Sequence, residues 1–476
     1  MLFAAVFFLN SAANFVLGIA LSALLGPAEF GRYATVALAA NTLAGALFDW
    51  LRHSNLRFAG DNDERVSVAA SLEASYLGAI GLLFVGFGIV ALSGATFGLT
   101  RWLLLLTPLL AISLNRVDYS GAQFRARGQE RAFAALFGLR QALTFTLVLA
   151  VAFVTRDATL TVVALALASL IAAIALSREL RTPGAGLSRA KRDKIFEFLV
   201  YAKPLVASLV IYQAIALINR QVALDHLGAV ATGNLSLATD LAQRLFLAIS
   251  TLPEILLFQY ALERDRKEGR PAAERQIGVN MALALAVLAP LAGGYMAMAT
   301  TFEALLVPAA YHGDFARLTI FVAPGFLAYC TILAAINPVF LLAKRTWPVI
   351  LAAALALATD LALLRFNDAS ASIDGLAKAN AISLGVGFAV AAAMALRRPE
   401  TRPRLRDIAA IVAATLAMAL AIRPLNALHP PALAALAALA GGGGLYGAIL
   451  LAFDVAGLRG LAVAWLRDRR ARRAPA

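Results

Sequence analysis

Cysteine is nearly absent. Cys330 is the only one in 476 residues, and a single thiol builds neither a disulfide framework nor a cysteine metal site. Histidine is almost as scarce. His53, His226, His312 and His429 are the full set, and none shares metal-ligand spacing with another. No metal and no cofactor are therefore expected. Signatures of soluble chemistry are missing as well: there is no phosphate-cradling loop and no Gly-x-Ser-x-Gly elbow. Long polar stretches are lacking too. The longest basic connectors run about 15 to 27 residues, short of an independent domain. An enzyme with a soluble active-site domain is excluded on that ground, and a transporter is favoured.

What fills the chain instead is apolar. It is 61% hydrophobic and 15% charged, too much apolar surface for a soluble protein to hide. Runs of about 20 apolar residues recur, each long enough for the roughly 30 Å hydrocarbon layer. They are continuous rather than alternating, so they read as helices, not barrel strands. The net charge of +14 fits basic cytoplasmic loops rather than nucleic acid. The N-terminus is apolar from Leu2 onward and lacks a basic leader. It reads as a first span rather than a signal peptide, and whether the chain begins further upstream is left open.

Fourteen spans fit, laid out as six, six and two: an N-terminal lobe at 1–190, a second at 191–400, and a final pair with a basic tail at 401–476. Orientation follows from counting. With the N-terminus in the cytoplasm, 31 of the 42 Lys and Arg fall on the cytoplasmic side, 7 outside and 4 within spans. That is the positive-inside pattern, with both termini cytoplasmic. The stretch Leu25-Gly-Pro-Ala-Glu-Phe-Gly31 closes the first span and opens the second. Its Leu-Gly-x4-Gly frame returns 202 positions later at Leu227, Gly228 and Gly233. Both copies run the same way, so the two bundles read as a parallel repeat. Gly26 and Gly31 permit the tight turn, and Pro27 fixes φ.

Four arginines lie within spans: Arg116, Arg140, Arg220 and Arg244. A charge at bilayer depth costs roughly 3 to over 10 kcal/mol and so faces a partner or a wet cavity. Asp240 and Arg244 stand i, i+4 and suit an intrahelical pair. Arg116 and Arg220 lie close enough to the interfaces to snorkel. Arg140 has no acidic neighbour one turn away. The functional alternative is an anionic substrate, whose phosphates guanidinium groups grip bidentately. Among the span carboxylates, Glu254, Asp360 and Asp240 are candidates for ion coupling, because low dielectric lets a carboxylate hold a proton. Span prolines, Pro338 among them, are either static kinks or bending points.

The stretch Leu25 to Ala34 resembles the first hairpin of polysaccharide flippases in the multidrug/oligosaccharidyl-lipid/polysaccharide (MOP) exporter superfamily. Ala28 departs from it where an acidic residue is common. Ser372-Ile-Asp-Gly-Leu-Ala377 is similar to the Gly-x-x-Gly-Ala-Ala pattern opening that family's twelfth span, with Ser372 and Leu376 departing. The resemblance implies an all-α integral membrane protein of the MATE-like fold, with two six-helix lobes in a V around a central cavity plus a C-terminal pair. It implies flipping of an undecaprenyl-pyrophosphate-linked oligosaccharide from the cytoplasmic to the outer leaflet of a bacterial inner membrane, by alternating access, for cell-surface polysaccharide. The partners implied are that glycolipid, the phospholipid bilayer, a proton or sodium ion, and other polysaccharide-assembly membrane proteins. Three readings stand beside it: a multidrug or cation antiporter of the same superfamily, a lipid II flippase, and a polytopic polysaccharide polymerase or glycosyltransferase.

Overall fold

The computed structural model describes residues 2–58, 65–94, 96–180, 186–343 and 345–460, with the backbone alone at a few positions including Glu254. The basic run at 467–473 lies outside the described residues. All regular structure among them is helical.

Eleven helices are long and apolar enough to cross a bilayer. One of them accounts for two passes. Ala5–Asn55 spans 51 residues, roughly 76 Å at 1.5 Å per residue. It belongs to α1 (Leu2–Phe58), which breaks at Gly26, where φ is 70°. Only glycine takes that conformation without strain. Two further helices reach across by length but carry too much charge to stand out by hydropathy. These are α3 (Arg101–Ala126), with Arg116 and Asp118, and α8 (Gly228–Glu268), with Asp240 and Arg244. Together they complete the expected fourteen passes.

The other helices, in order, are α2 (Arg65–Ser93), α4 (Glu130–Leu143), α5 (Leu149–Thr155), α6 (Ala158–Ala175), α7 (Arg192–His226), α9 (Arg270–Ala297) and α10 (Ala299–Leu306). There follow α11 (Asp314–Thr331), α12 (Asn337–Leu342), α13 (Trp347–Phe366), α14 (Ile373–Ala395), α15 (Leu405–Ile422), α16 (Pro431–Ala437) and α17 (Gly443–Ala452). Three passes contain a π-helical turn. Thr144–Val148 joins α4 to α5, Ile332–Ile336 joins α11 to α12, and Ala438–Gly442 joins α16 to α17. The second has a local cause. Pro338, just beyond it, has no N–H to close an α-helical bond, and the ladder widens. The third coincides with the start of the Gly441–Gly444 run, where backbone freedom is greatest.

The chain forms two compact units. One comprises Met1–Leu241 with Ala353–Asn380, the other Ala242–Ala352 with Ala381–Ala476. In the first, α1 packs along α3 and α7, and α3 along α6. Its interior holds Val117, Phe124, Leu136 and Ala172 in one apolar cluster. In the second, α9 packs along α11 and α15. Small residues set the approach there. A side chain at Gly325 of α11 would meet the Ala381 Cα of α14 at 3.0 Å, close packing typical of membrane bundles.

Polar groups at the helix ends are satisfied locally. Asp157 accepts from the Leu160 amide at 2.8 Å and caps α6. Glu303 accepts from the Gly313 and Ala316 amides at 2.7 and 3.0 Å and so caps α11. At the start of α9, buried Glu274 binds Arg270 at 3.2 Å and also pairs with Arg398. The start of α9 is thereby tied to the connector before α15. Beyond the membrane pass of α8, Glu263 and Lys267 pair at 2.6 Å on the exposed surface. The ammonium holds the Glu263 carboxyl below its ordinary range, first by the hydrogen bond and then by its charge, and Lys267 is raised in return.

Candidate functional site

The four span arginines fall into different environments. Arg220 is the most enclosed, at 3% exposed. It sits two turns before the end of α7, and its fork spans two other helices. One nitrogen donates to the Ala34 carbonyl of α1 at 3.0 Å. Another donates to Thr239 Oγ1 of α8 at 3.1 Å and pairs with Asp240. Asp240 therefore answers Arg220 across the bundle. The sequence suggested its own-helix neighbour Arg244 instead.

Arg116 of α3 is half-buried. Its guanidinium lies 5.1 Å from the centre of the Tyr76 ring and 6.0 Å from that of Tyr119. Those rings stack 5.1 Å apart, and Phe48 packs on Tyr76 at 5.1 Å. Aromatic faces hold a cation this way for about 0.5 to 2 kcal/mol. The nearest carboxylate, Glu73 of α2, stands at 3.7 Å, beyond hydrogen-bond reach, and its side chain is 42% exposed. Arg116 and Glu73 thus form an ion pair too long for a hydrogen bond, with the guanidinium side chain 29% exposed.

Arg140 of α4 lies near the middle of the pass that runs Glu130–Thr155. Ala135, Gly138, Ala142 and Thr146 are the exposed positions around it and share one helix face. Arg140 projects from the opposite face, together with buried Phe133, Leu136 and Thr144. It points into the first unit and remains half-buried. Among the described residues its guanidinium has no ion pair and no hydrogen bond. Next to it, Gln141 Nε2 donates to Asn10 Oδ1 at 2.6 Å and Asn14 Oδ1 at 3.2 Å of α1. The middle of the first span thus carries a carboxamide cluster beside a cation. Arg244, on α8, is half-buried and belongs to the second unit.

The coupling candidates separate as well. Asp360 of α13 is fully buried, and both its oxygens accept from Asn219 Nδ2 at 3.0 and 2.9 Å. Asp240 is committed to Arg220. The Glu254 side chain lies outside the described residues. Asn219 and Arg220 are adjacent in sequence, so one turn of α7 serves two carboxylates on two other helices.

The repeated glycines occupy equivalent places. Gly26 and Gly228 both have positive φ, 70° and 86°, and each starts a helical segment. Gly31 and Gly233 meet directly. A Cβ on Gly31 would sit 2.4 Å from the Ala229 carbonyl oxygen, and one on Gly233 would sit 1.9 Å from that of Pro27.

Sequence reasoning missed the aromatic cradle of Arg116, since tyrosine within an apolar run carries no signal of its own. It also missed Thr239 as an Arg220 acceptor. The second unit contains a further feature, an apolar hollow of about 450 Å³ lined by Pro290, Tyr295, Met418, Ala438 and Tyr446.

No protein-family model matches the chain, and no curated protein matches it. Solved structures do. The lipid II flippase MurJ, in an inward closed conformation, superposes with a TM-score of 0.73 at 14% identity, covering 95% of this chain and 98% of that one. An inward-facing multidrug-resistance MATE transporter of the MOP superfamily gives 0.49 at 13% identity over 82% and 94%. A eukaryotic MATE transporter gives 0.49 at 12% identity over 87% and 97%. The similarity to MurJ extends over nearly the whole of both chains. The protein thus has an all-α, multi-pass membrane fold, shared with MurJ.

Proposed function

We propose that this protein is a flippase that carries a polyprenyl-pyrophosphate-linked oligosaccharide from the cytoplasmic to the outer leaflet. The observation that carries the reading is Arg140: a guanidinium at mid-span, turned inward, with no acidic partner among the described residues. A half-buried cation at bilayer depth without a partner is costly, and a phosphate-bearing passenger supplies the missing counter-charge during transit. Its planar fork matches two phosphate oxygens at once. The neighbouring carboxamides of Asn10, Asn14 and Gln141 both donate and accept, which suits the hydroxyls of a sugar. Arg116 is the second candidate cargo cation, and Arg244, in the second unit, is a third. Arg220 is otherwise engaged. Under this reading the lipid tail stays in the bilayer, and the apolar hollow near Tyr446 offers it a wall.

Asp360 is the ion-coupling group in this proposal, a fully buried carboxylate able to exchange a proton or hold a sodium ion. The six, six and two division at 190 and 400, a cytoplasmic location for both termini and a bacterial inner-membrane setting belong to the same reading. A cationic-drug antiporter fits less well. Its cargo calls for free carboxylates, and Asp240 and Asp360 are both engaged by other side chains.

The test is glycolipid accumulation in a strain lacking the protein. Undecaprenyl-linked oligosaccharide is expected to build up on the cytoplasmic face. Wild type relieves it, whereas Arg140→Ala and Arg244→Ala at normal membrane abundance do not. Full rescue by both variants removes these arginines from the mechanism, and a strain without accumulation removes the cargo.

A further inference from the structure

Within the first unit, two helical segments meet backbone to backbone at the two copies of the repeated motif. Pro27 carbonyl oxygen lies 1.9 Å from where a Gly233 Cβ would be, and Ala229 carbonyl oxygen 2.4 Å from where a Gly31 Cβ would be. Backbone atoms cannot swing aside as a flexible side chain can. The contact therefore exists only while both positions are glycine. The residues around it are sealed: Ala34, Thr35, Thr232 and Ser236 are each at most 2% exposed.

A clamp lies one to two turns below. Arg220 from α7 donates to the Ala34 carbonyl on the Gly31 side and reaches Thr239 and Asp240 on the Gly233 side. A single buried guanidinium therefore bridges the two segments that the glycines bring together. Its three acceptors come from two helices, so the whole set forms only when those helices are side by side. Charge counting places this end of the bundle outside the membrane.

We propose that the Gly31–Gly233 crossing, locked by Arg220, is the outer latch of the transport path, and that Arg220 is a positioning residue for closure rather than a cargo ligand. The inference rests on the transporter reading. Parting the two segments opens the outer end. It breaks the Arg220 bridge to one side and leaves the guanidinium with the other. A glycine contact suits this duty, because it offers close apposition without interdigitating side chains and separates without repacking a core.

The experiment places a reporter beneath the crossing. Cys330 is the sole native thiol and is replaced in a Cys330→Ala, Ser236→Cys background. Ser236 is 0% exposed and lies about one turn below Gly233. Intact cells are treated from outside with a membrane-impermeant maleimide. The parent is expected to react slowly. Gly31→Ala and Gly233→Ala each raise the rate about tenfold, by shifting the closed-to-open population. Arg220→Lys, which keeps the charge and drops the fork, also raises it and serves where a glycine variant fails to accumulate. Gly78→Ala has no atom within 4 Å of its new carbon and leaves the rate at the parental value. Unchanged rates in both glycine variants at parental abundance overturn the latch, and so does an equal rise in Gly78→Ala. Labelling needs no cargo. The latch stands or falls on it alone, while the cargo reading stands or falls on glycolipid accumulation with Arg140→Ala.

Discussion

Arg220 and Asp240 offer the sharpest energetic test. Their side chains are 4% and 18% exposed, so both charges are largely out of water. Replacing Arg220 by methionine keeps most of the volume and deletes the charge. Asp240 is then left without its partner. Removing one member of a buried pair costs about 3 to 5 kcal/mol. The residual exposure of Asp240 lets some solvent in, so the lower end, about 3 kcal/mol, applies. The hydroxyl of Thr239 retains its bond to the Leu235 carbonyl at 2.8 Å, so little is added there. Pairing Arg220→Met with Asp240→Leu removes both charges, and the double variant is expected to lose less than Arg220→Met alone. A coupling of about 2 to 3 kcal/mol results. Reversible unfolding in mixed detergent micelles, followed by tryptophan fluorescence, gives the four stabilities of the cycle. Strictly additive losses, or an Arg220→Met variant as stable as wild type, would refute the pairing. Arg220 would then return to the list of cargo cations.

Four further outcomes are expected. Gly325→Val drives a side chain into Ala381 of α14 and costs about 1 to 3 kcal/mol, measured as lost folded yield. Gly385→Val, with nothing within 4 Å of the glycine, leaves the yield intact. Glu274→Gln weakens the hold on Arg270 and Arg398, whose side chains are 37% and 49% exposed. The cost is about 1 to 2 kcal/mol after solvent screening, and limited proteolysis of the 397–404 connector speeds up. Asp360→Asn retains shape and membrane abundance but abolishes ion-driven export, and undiminished export in an ion-gradient assay removes Asp360 from coupling. Glu263 titrates below its ordinary 4.5, so the bond to Lys267 is complete above that value and is lost as pH falls through the lowered one. Carboxyl NMR reads this directly, and Lys267→Met returns Glu263 to the ordinary range.

The spans themselves were legible because hydropathy over 20 residues is a one-dimensional property. It failed only where function or structure placed charge inside a pass. Helices α3 and α8 escape a hydropathy criterion through Arg116, Asp118, Asp240 and Arg244, and positive-inside counting recovers them. The Leu-Gly-x4-Gly repeat was legible as a turn, because a positive φ at Gly26 and Gly228 is a local demand. That the second glycines of the two copies touch is a tertiary fact 202 residues long, and no local pattern encodes it. Charge partners were illegible for the same reason. Spacing i, i+4 pointed Asp240 at Arg244, but an ion pair across helices depends on packing, and Arg220 takes Asp240.

The same distinction sorts three of the four arginines. A cation meant for the fold must find its acceptors within the chain, because they have to be present at all times. Arg220 meets that demand in full, with a carbonyl, a hydroxyl and a carboxylate. A cation meant for a passenger must be affordable while the passenger is away, which requires a surrounding that solvates it without consuming its donors. Arg116 has such a surrounding in the faces of Tyr76 and Tyr119, and Arg140 in its partial exposure. Removing the cradle rather than the cation separates the two roles. Tyr76→Leu deletes the ring 5.1 Å from the Arg116 guanidinium and about 0.5 to 2 kcal/mol of cation–π stabilisation. If Arg116 serves cargo, export falls in Tyr76→Leu at unchanged abundance, while Arg116→Lys, which keeps the charge over the intact rings, retains part of it. If Arg116 serves the fold, Tyr76→Leu and Arg116→Lys lower stability by similar amounts, and export tracks abundance alone.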